Sequence, residues 1–291
     1  MKKIIFKGCG TAIATPFTED SVNYEELGKL LECQINNSAD AIIVCGTTGE
    51  ASTMTKEEKK EVIKFTIDFV DNRIPVIAGT GGNNTKEVIE MSQYAQKVGA
   101  DGLLIVTPYY NKTTQQGLIE HYKTIANNTE LPIILYNVPG RTGLNMEPTT
   151  CLELSKIENI VAIKEASGNI SQVAQIASLC KENLNIYSGN DDQIIPVLSL
   201  GGIGVISVLS NIMPKFTHDM VENYMNGDII QAVEMQLRCL KLVNSLFSEV
   251  SPIPIKEALN IYGYKFGKPR LPLLEMSQSK REILQEEIVK F

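Results

Sequence analysis

Lys164 closes an apolar run, Ile160-Val161-Ala162-Ile163. Buried lysines are uncommon because desolvation penalises the ammonium form. An amine in a dry pocket is expected to fall well below its reference pKa of about 10.4. A neutral amine can attack a carbonyl and form a Schiff base. A Lys164–Glu165 pair at a strand end, or a snorkelling side chain, would use the same residues. The scarcity of histidine favours the amine.

Other polar residues also follow apolar runs. Gly46-Thr47-Thr48-Gly49-Glu50 combines two glycines with two hydroxyls. Its amides can make an anion nest, or the stretch can be an ordinary turn. Tyr109 and Tyr110 follow another run, either as rim packing or as working phenols. Tyr136 ends Ile133-Ile134-Leu135, and Arg141 sits in Val138-Pro139-Gly140-Arg141-Thr142-Gly143. A guanidinium there suits a carboxylate, although a plain surface arginine fits as well. Gly189 precedes Asn190-Asp191-Asp192, whose acids read as first-turn residues favoured by a helix dipole rather than metal ligands. Gly204-Val205-Ile206-Ser207 follows a glycine pair that allows close approach of a ligand or simply turns the chain.

Composition narrows the chemistry. The 291 residues include two histidines, His121 and His218, far apart in sequence. That disfavours multi-histidine zinc sites, and no metal is expected. Cys9, Cys33, Cys45, Cys151, Cys180 and Cys239 show no close ligand spacing and read as free thiols of a reducing compartment. A hydrophobic content of 43% excludes disorder. The net charge of −7 argues against nucleic acid or an anionic membrane as partner. The N-terminal run Ile4-Ile5-Phe6 is too short for a signal core, and no run is long enough to span a bilayer. A cytoplasmic protein is expected.

These residues need elements to hold them. Short runs at Thr11–Ala14, Ala41–Cys45, Pro75–Gly79, Gly102–Val106, Ile133–Asn137, Val161–Lys164, Asn185–Ser188 and Gly204–Ser207 are nearly continuous hydrophobics. That pattern marks strands buried on both faces of a parallel sheet. Between them lie helical stretches. Tyr24–Asn36 carries Leu27, Leu30, Leu31 and Ile35; Thr55–Val70 carries Val62, Phe65, Ile67 and Phe69; Asn84–Val98 carries Val88, Met91 and Ala95. Thr55 and Glu58 have capping-box spacing. Eight strands with crossovers predict an α/β fold, a (β/α)8 TIM barrel, over an open doubly wound sheet. Gly8-Cys9-Gly10 precedes the first expected strand and so fails as a dinucleotide loop. The barrel is expected over residues 1–226 and a C-terminal helical region packed on it over 227–291, where Pro252 and Pro254 interrupt the pattern. In Asp228–Phe247 the apolar positions Ile230, Val233, Leu237, Leu240 and Phe247 have helical spacing. Chemistry then belongs at the C-terminal strand ends.

The stretches Gly46–Glu50, Tyr136–Gly143 and Lys164-Glu165-Ala166-Ser167-Gly168 resemble the motifs of the dihydrodipicolinate synthase (4-hydroxy-tetrahydrodipicolinate synthase) family of Schiff-base-forming pyruvate aldolases. The resemblance runs from Ala14-Thr15-Pro16-Phe17 to Pro252-Ile253-Pro254-Ile255-Lys256. The Gly-Thr-Thr-Gly-Glu loop and the lysine belong to the wider superfamily. The Arg141 loop discriminates, since sialic-acid lyases and keto-deoxy-sugar aldolases generally lack that arginine.

The resemblance implies a lyase that condenses pyruvate with L-aspartate 4-semialdehyde, opening the diaminopimelate route to lysine. It implies no cofactor beyond a covalent imine of pyruvate on Lys164. Tyr136 would shuttle protons through Thr47 to Tyr110. Thr48 and the nest amides would hold the pyruvate carboxylate, and Arg141 that of the semialdehyde. Backbone groups at Gly189 and Ile206 would line the pocket. The residue matching Tyr110 reaches a neighbouring subunit in the family, implying a homodimer or homotetramer. Asn83, Glu87 and Tyr109 match a lysine-binding regulatory site. Ala51, Lys56 and Lys59 stand where some inhibited members carry a serine and two histidines. Two added cations should repel a cationic effector, so weak or absent lysine inhibition is expected.

Overall fold

Eight short runs are apolar and nearly all buried along their length, as strands covered on both faces must be. The computed structural model describes residues 2–291. Its strands are β1 Gly8–Ala12, β2 Ala41–Val44, β3 Val76–Gly79, β4 Gly102–Val106, β5 Ile133–Asn137, β6 Ile160–Glu165, β7 Asn185–Ser188 and β8 Gly204–Ser207. Each pairs in parallel with the next and β8 pairs with β1, closing a barrel. This is the expected (β/α)8 architecture.

The crossovers are helices α1 Tyr24–Asn36, α2 Lys56–Val70, α3 Thr85–Val98, α4 Gln115–Ala126, α5 Pro139–Thr142, α6 Pro148–Ser155, α7 Ile170–Cys180, α8 Ile194–Ser199 and α9 Pro214–Met225. Thr55 and Glu58 form the predicted capping box ahead of α2. The short spacing between the last two strands is met by α8, which has six residues. Beyond the barrel lie α10 Ile229–Leu246, α11 Ile253–Ile261 and α12 Gln278–Ile288. Among the described residues no helix is long and apolar enough to cross a membrane.

Strand alternation splits the apolar residues into two cores. Ala12, Ile43, Ile77, Leu104, Ile134, Tyr136, Ala162, Tyr187 and Ile206 fill the barrel interior. Ile42, Val44, Ile105, Leu135 and Ile163 face the helices. Phe6 stacks on Tyr187 with ring centroids 4.5 Å apart, a floor at the N-terminal end.

Three local expectations change. Gly8-Cys9-Gly10 lies inside β1 instead of ahead of it. A Cβ on Gly10 would come within 2.6 Å of both Ile43 and the Phe6 ring, so the glycine makes room for the interior core. Pro252 and Pro254 do not end the helical pattern. They sit at the start of α11, where a missing N–H costs nothing. In α10 the predicted apolar stripe faces outward: Ile230, Val233, Leu237 and Leu240 are exposed. Ala232, Met235, Cys239, Leu242, Val243 and Leu246 form the buried face instead. The helix has two apolar faces, and periodicity cannot say which one the barrel covers. In α2 the predicted Val62 is buried with Ile63, Thr66 and Val70, and Phe65, Ile67 and Phe69 pack half-buried against the same core.

Candidate active site

Lys164 lies one residue from the C-terminal end of β6. Ala162, two residues earlier, packs inside the barrel, so Lys164 points inward as well. Its side chain is buried, at 5% exposure, and belongs to no ion pair among the described residues. Its neighbours in register are Tyr136 and Tyr187. Nζ sits 4.5 Å from the centroid of the Tyr136 ring. A buried amine that faces an aromatic ring and belongs to no ion pair is placed to meet a carbonyl. Glu165 alternates outward and does not pair with it; its carboxylate accepts from Asn137, Gln172 and Ser167.

Above Tyr136 opens a cavity of about 540 Å³. Its lining includes Thr47, Tyr109, Tyr110, Tyr136, Arg141 and Lys59. Five of the predicted residues thus converge on one space, while Lys164 is not on its wall but lies against the Tyr136 ring, which is. Thr48, Gly189, Ile206, Asn83 and Glu87 are not on that wall. Asn83 nonetheless donates to the Tyr109 carbonyl at 3.2 Å, and Glu87 lies exposed on α3. No hydrogen bond joins Tyr136, Thr47 and Tyr110 within the chain, among the described residues. Arg141 is exposed on α5 and its guanidinium has no partner there.

The loop after β2 is tightly wound. Cys45 and Glu50 both adopt left-handed backbone, with φ of 56° and 55°. Gly79 lets this loop lie against β3, because a Cβ there would be 2.2 Å from the Cys45 carbonyl. The Gly49 amide donates to Gly46 and the Glu50 amide to Thr47. The expected anion nest therefore narrows to the amides and hydroxyls of Thr47 and Thr48.

Asp191 differs from its reading as an acid serving its own helix dipole. It is buried, and its Oδ2 accepts from the amides of Val208 and Leu209 at 3.0 and 2.9 Å. It ties the end of β7 to the turn after β8. Burial pushes its carboxyl up, while Ser207, the two amides and the Lys164 charge pull it back.

A second buried lysine escaped sequence reasoning. Lys256 in α11 is 1% exposed and pairs with the buried Glu50 at 2.7 Å. The other Glu50 oxygen accepts from the Arg270 amide at 3.0 Å, and Arg270 grips Glu58 with both terminal nitrogens. Lys256 and Arg270 also sit 4.2 and 4.1 Å from the centroid of the Phe17 ring. The C-terminal region thus anchors the loop that carries Thr47 and Thr48. Lys256 follows Ile253-Pro254-Ile255 much as Lys164 follows its own run. The signal was present; its partner, 206 residues away, was not visible.

Comparison with known proteins agrees with this geometry. The family model described as "Dihydrodipicolinate synthetase family" matches residues 5–290. The 4-hydroxy-tetrahydrodipicolinate synthase of Clostridium tetani is 59% identical over 285 residues, covering 98% of this chain and 97% of that protein. The crystal structure of dihydrodipicolinate synthase from Thermotoga maritima superposes with a TM-score of 0.97 at 40% identity, covering 99% of each chain. A structure described as the first monomeric dihydrodipicolinate synthase variant gives 0.96 at 41%, covering 98% of this chain and 97% of that one. A match over nearly the whole chain, to relatives that share its barrel, means that the protein belongs to the dihydrodipicolinate synthetase family.

Proposed function

We propose that the protein condenses pyruvate with L-aspartate 4-semialdehyde to give 4-hydroxy-tetrahydrodipicolinate. The reading rests on one observation above all: a buried Lys164 that belongs to no ion pair among the described residues and lies against the ring of Tyr136, which lines the same cavity as Arg141. The Clostridium tetani relative bears the corresponding name.

Lys164 attacks C2 of pyruvate as the free amine, and water leaves to form the imine. The imine accepts electrons, so a methyl proton departs and an enamine forms. The enamine carbon adds to the semialdehyde carbonyl, whose oxygen takes a proton. The substrate amine then attacks the imine carbon, closing the ring and expelling Lys164. Tyr136 moves the protons, with Thr47 and Tyr110 as relay. Thr48 and the free amides of the loop hold the pyruvate carboxylate, with backbone groups of Gly189 and Ile206 beside it. Arg141 takes the semialdehyde carboxylate by its planar fork. No cofactor is required beyond the covalent imine.

Tyr110 is 90% exposed and held at a φ of 72°. An aromatic ring so projected supports a role across a subunit contact, in a homodimer or homotetramer. Six free thiols suit a cytoplasmic setting.

Borohydride reduction with pyruvate, followed by intact mass and peptide mapping, tests the reading. An adduct on Lys164 is expected, and none in Lys164→Ala. A missing adduct, or one mapping elsewhere, sinks the mechanism. Arg141→Ala should impair turnover with the semialdehyde while the imine still forms. Tyr110→Phe should lower the rate more than pyruvate binding.

A further inference from the structure

Asn137 follows Tyr136 on β5 and therefore points the opposite way, out of the barrel toward the helices. It is fully buried, as are Glu165 and Gln172. Glu165 Oε2 accepts from Asn137 Nδ2 at 3.0 Å and from Gln172 Nε2 at 3.2 Å. Glu165 Oε1 accepts from the Ser167 amide at 2.7 Å. Among the described residues no cation pairs with this carboxylate; three neutral donors hold its charge. Asn145 and Gln172 exchange amide hydrogen bonds at 2.8 and 3.1 Å. Asn137 Oδ1 accepts from the Met146 amide at 2.9 Å, and its Nδ2 also reaches Asn145 Oδ1 at 2.9 Å.

A primary amide can face either way, but a carboxylate only accepts. Glu165 therefore obliges Asn137 and Gln172 to present their NH2 groups to it. Asn137 must then turn its oxygen to Met146, and Gln172 its oxygen to Asn145. One acceptor-only side chain sets the direction of every link. The links end on both sides of the loop bearing Arg141, at Asn137 before it and at Asn145-Met146 after it. Among the described residues the guanidinium of Arg141 has no hydrogen-bond or ion-pair partner, so its aim depends on the backbone beneath it.

We propose that Glu165, through Asn137, Gln172 and Asn145, is a positioning network for the Arg141 loop, and that it governs acceptance of the second substrate and not capture of pyruvate. The proposal rests on Arg141 binding the semialdehyde carboxylate. Small displacements of a binding group are costly: a shift of about 1 Å is enough to lose two orders of magnitude in rate.

Asn145→Ala, at the half-buried end of the network, is the first test, with Gln172→Ala as a second variant and thermal melting to verify folding. The KM for semialdehyde should rise roughly tenfold or more. The pyruvate concentration for half-maximal borohydride trapping should stay within about twofold. In an Arg141→Ala background, Asn145→Ala should add no more than about twofold to the semialdehyde KM, because both changes remove one interaction. A merely structural role would move both substrates together and would persist without Arg141; either result overturns the network. An unchanged semialdehyde KM in folded Asn145→Ala and Gln172→Ala, with Arg141→Ala impaired, also overturns it alone. If Arg141→Ala itself leaves that KM unmoved, the reading of Arg141 falls and the network role falls with it.

Discussion

Lys164 and Lys256 are both buried, yet they stand in opposite electrostatic situations. Lys256 meets a buried carboxylate, and burial still pulls its pKa below the ordinary 10.5. Lys164 meets none. Removing a partner from a buried pair strands a charge, so Lys256→Met should cost roughly 3–5 kcal/mol. The double change Lys256→Met with Glu50→Gln should recover a large part of that loss. Denaturant titration of the three proteins decides the point. Lys164→Met breaks no ion pair, and Asp191 keeps the two backbone amides that hold its carboxylate. The variant's melting temperature should equal or exceed the parent's while pyruvate trapping vanishes, the pattern of a residue kept for chemistry rather than stability.

The histidines belong to the same scale. His218 bonds Asp40 and Glu222, and Asp40 immediately precedes β2, so it lies at the end of the barrel away from the strand ends that carry Lys164 and Tyr136. His121 in α4 bonds Thr85, and burial lowers its pKa from 6.5 to about 4. Between those two values the unfolded chain takes a proton that the folded protein refuses. Stability therefore falls as pH drops through this window and is unaffected by His121 above it. His121→Gln should flatten that acid limb in pH-dependent unfolding and leave turnover near neutrality unchanged. Neither side chain touches the cavity, which fits chemistry run by an amine and phenols.

At the scale of elements, Thr55 caps α2, the helix that carries Lys56 and sets Lys59 on the cavity wall. Lys56 pairs with Glu90 of α3, which occupies part of its charge. Lys59 stays on the cavity wall near Tyr109. A cationic effector placed there meets a like charge, so L-lysine should inhibit weakly or not at all. Rates measured across an L-lysine titration test this, and a low-micromolar inhibition constant would refute it. The strands and their order were legible because continuous apolar runs have few other uses. Lys164 and Tyr136 were legible because each stands at the end of such a run, and Arg141 because it lies in the Pro–Gly stretch that follows one. The clamp on Glu50 and the amide network around Glu165 were not. Apart from the Ser167 amide, their members are separated by 7 to 220 residues, and the folded chain brings them together.

At the scale of the molecule, the outward apolar face of α10 is the largest departure from sequence reasoning. Leu237 is 65% exposed at its centre. Such a stripe suits a contact with a second copy of the chain. Leu237→Glu should shift the sedimentation profile toward a smaller species with little change in protomer stability, because most of the side chain lies outside the packing of its own chain. An unchanged profile would move the contact to another face.

The tie between Glu50 and the C-terminal region also orders events during synthesis. Glu50 leaves the ribosome early, and its partners Lys256 and Arg270 follow 206 and 220 residues later. At ~5–20 residues per second, that interval is roughly 10–40 s. Throughout it the loop bearing Thr47 and Thr48 lacks its anchors. A ribosome stalled before Lys256 would hold a nascent barrel in which Lys164 is already made and the Gly46–Glu50 loop is still unsecured.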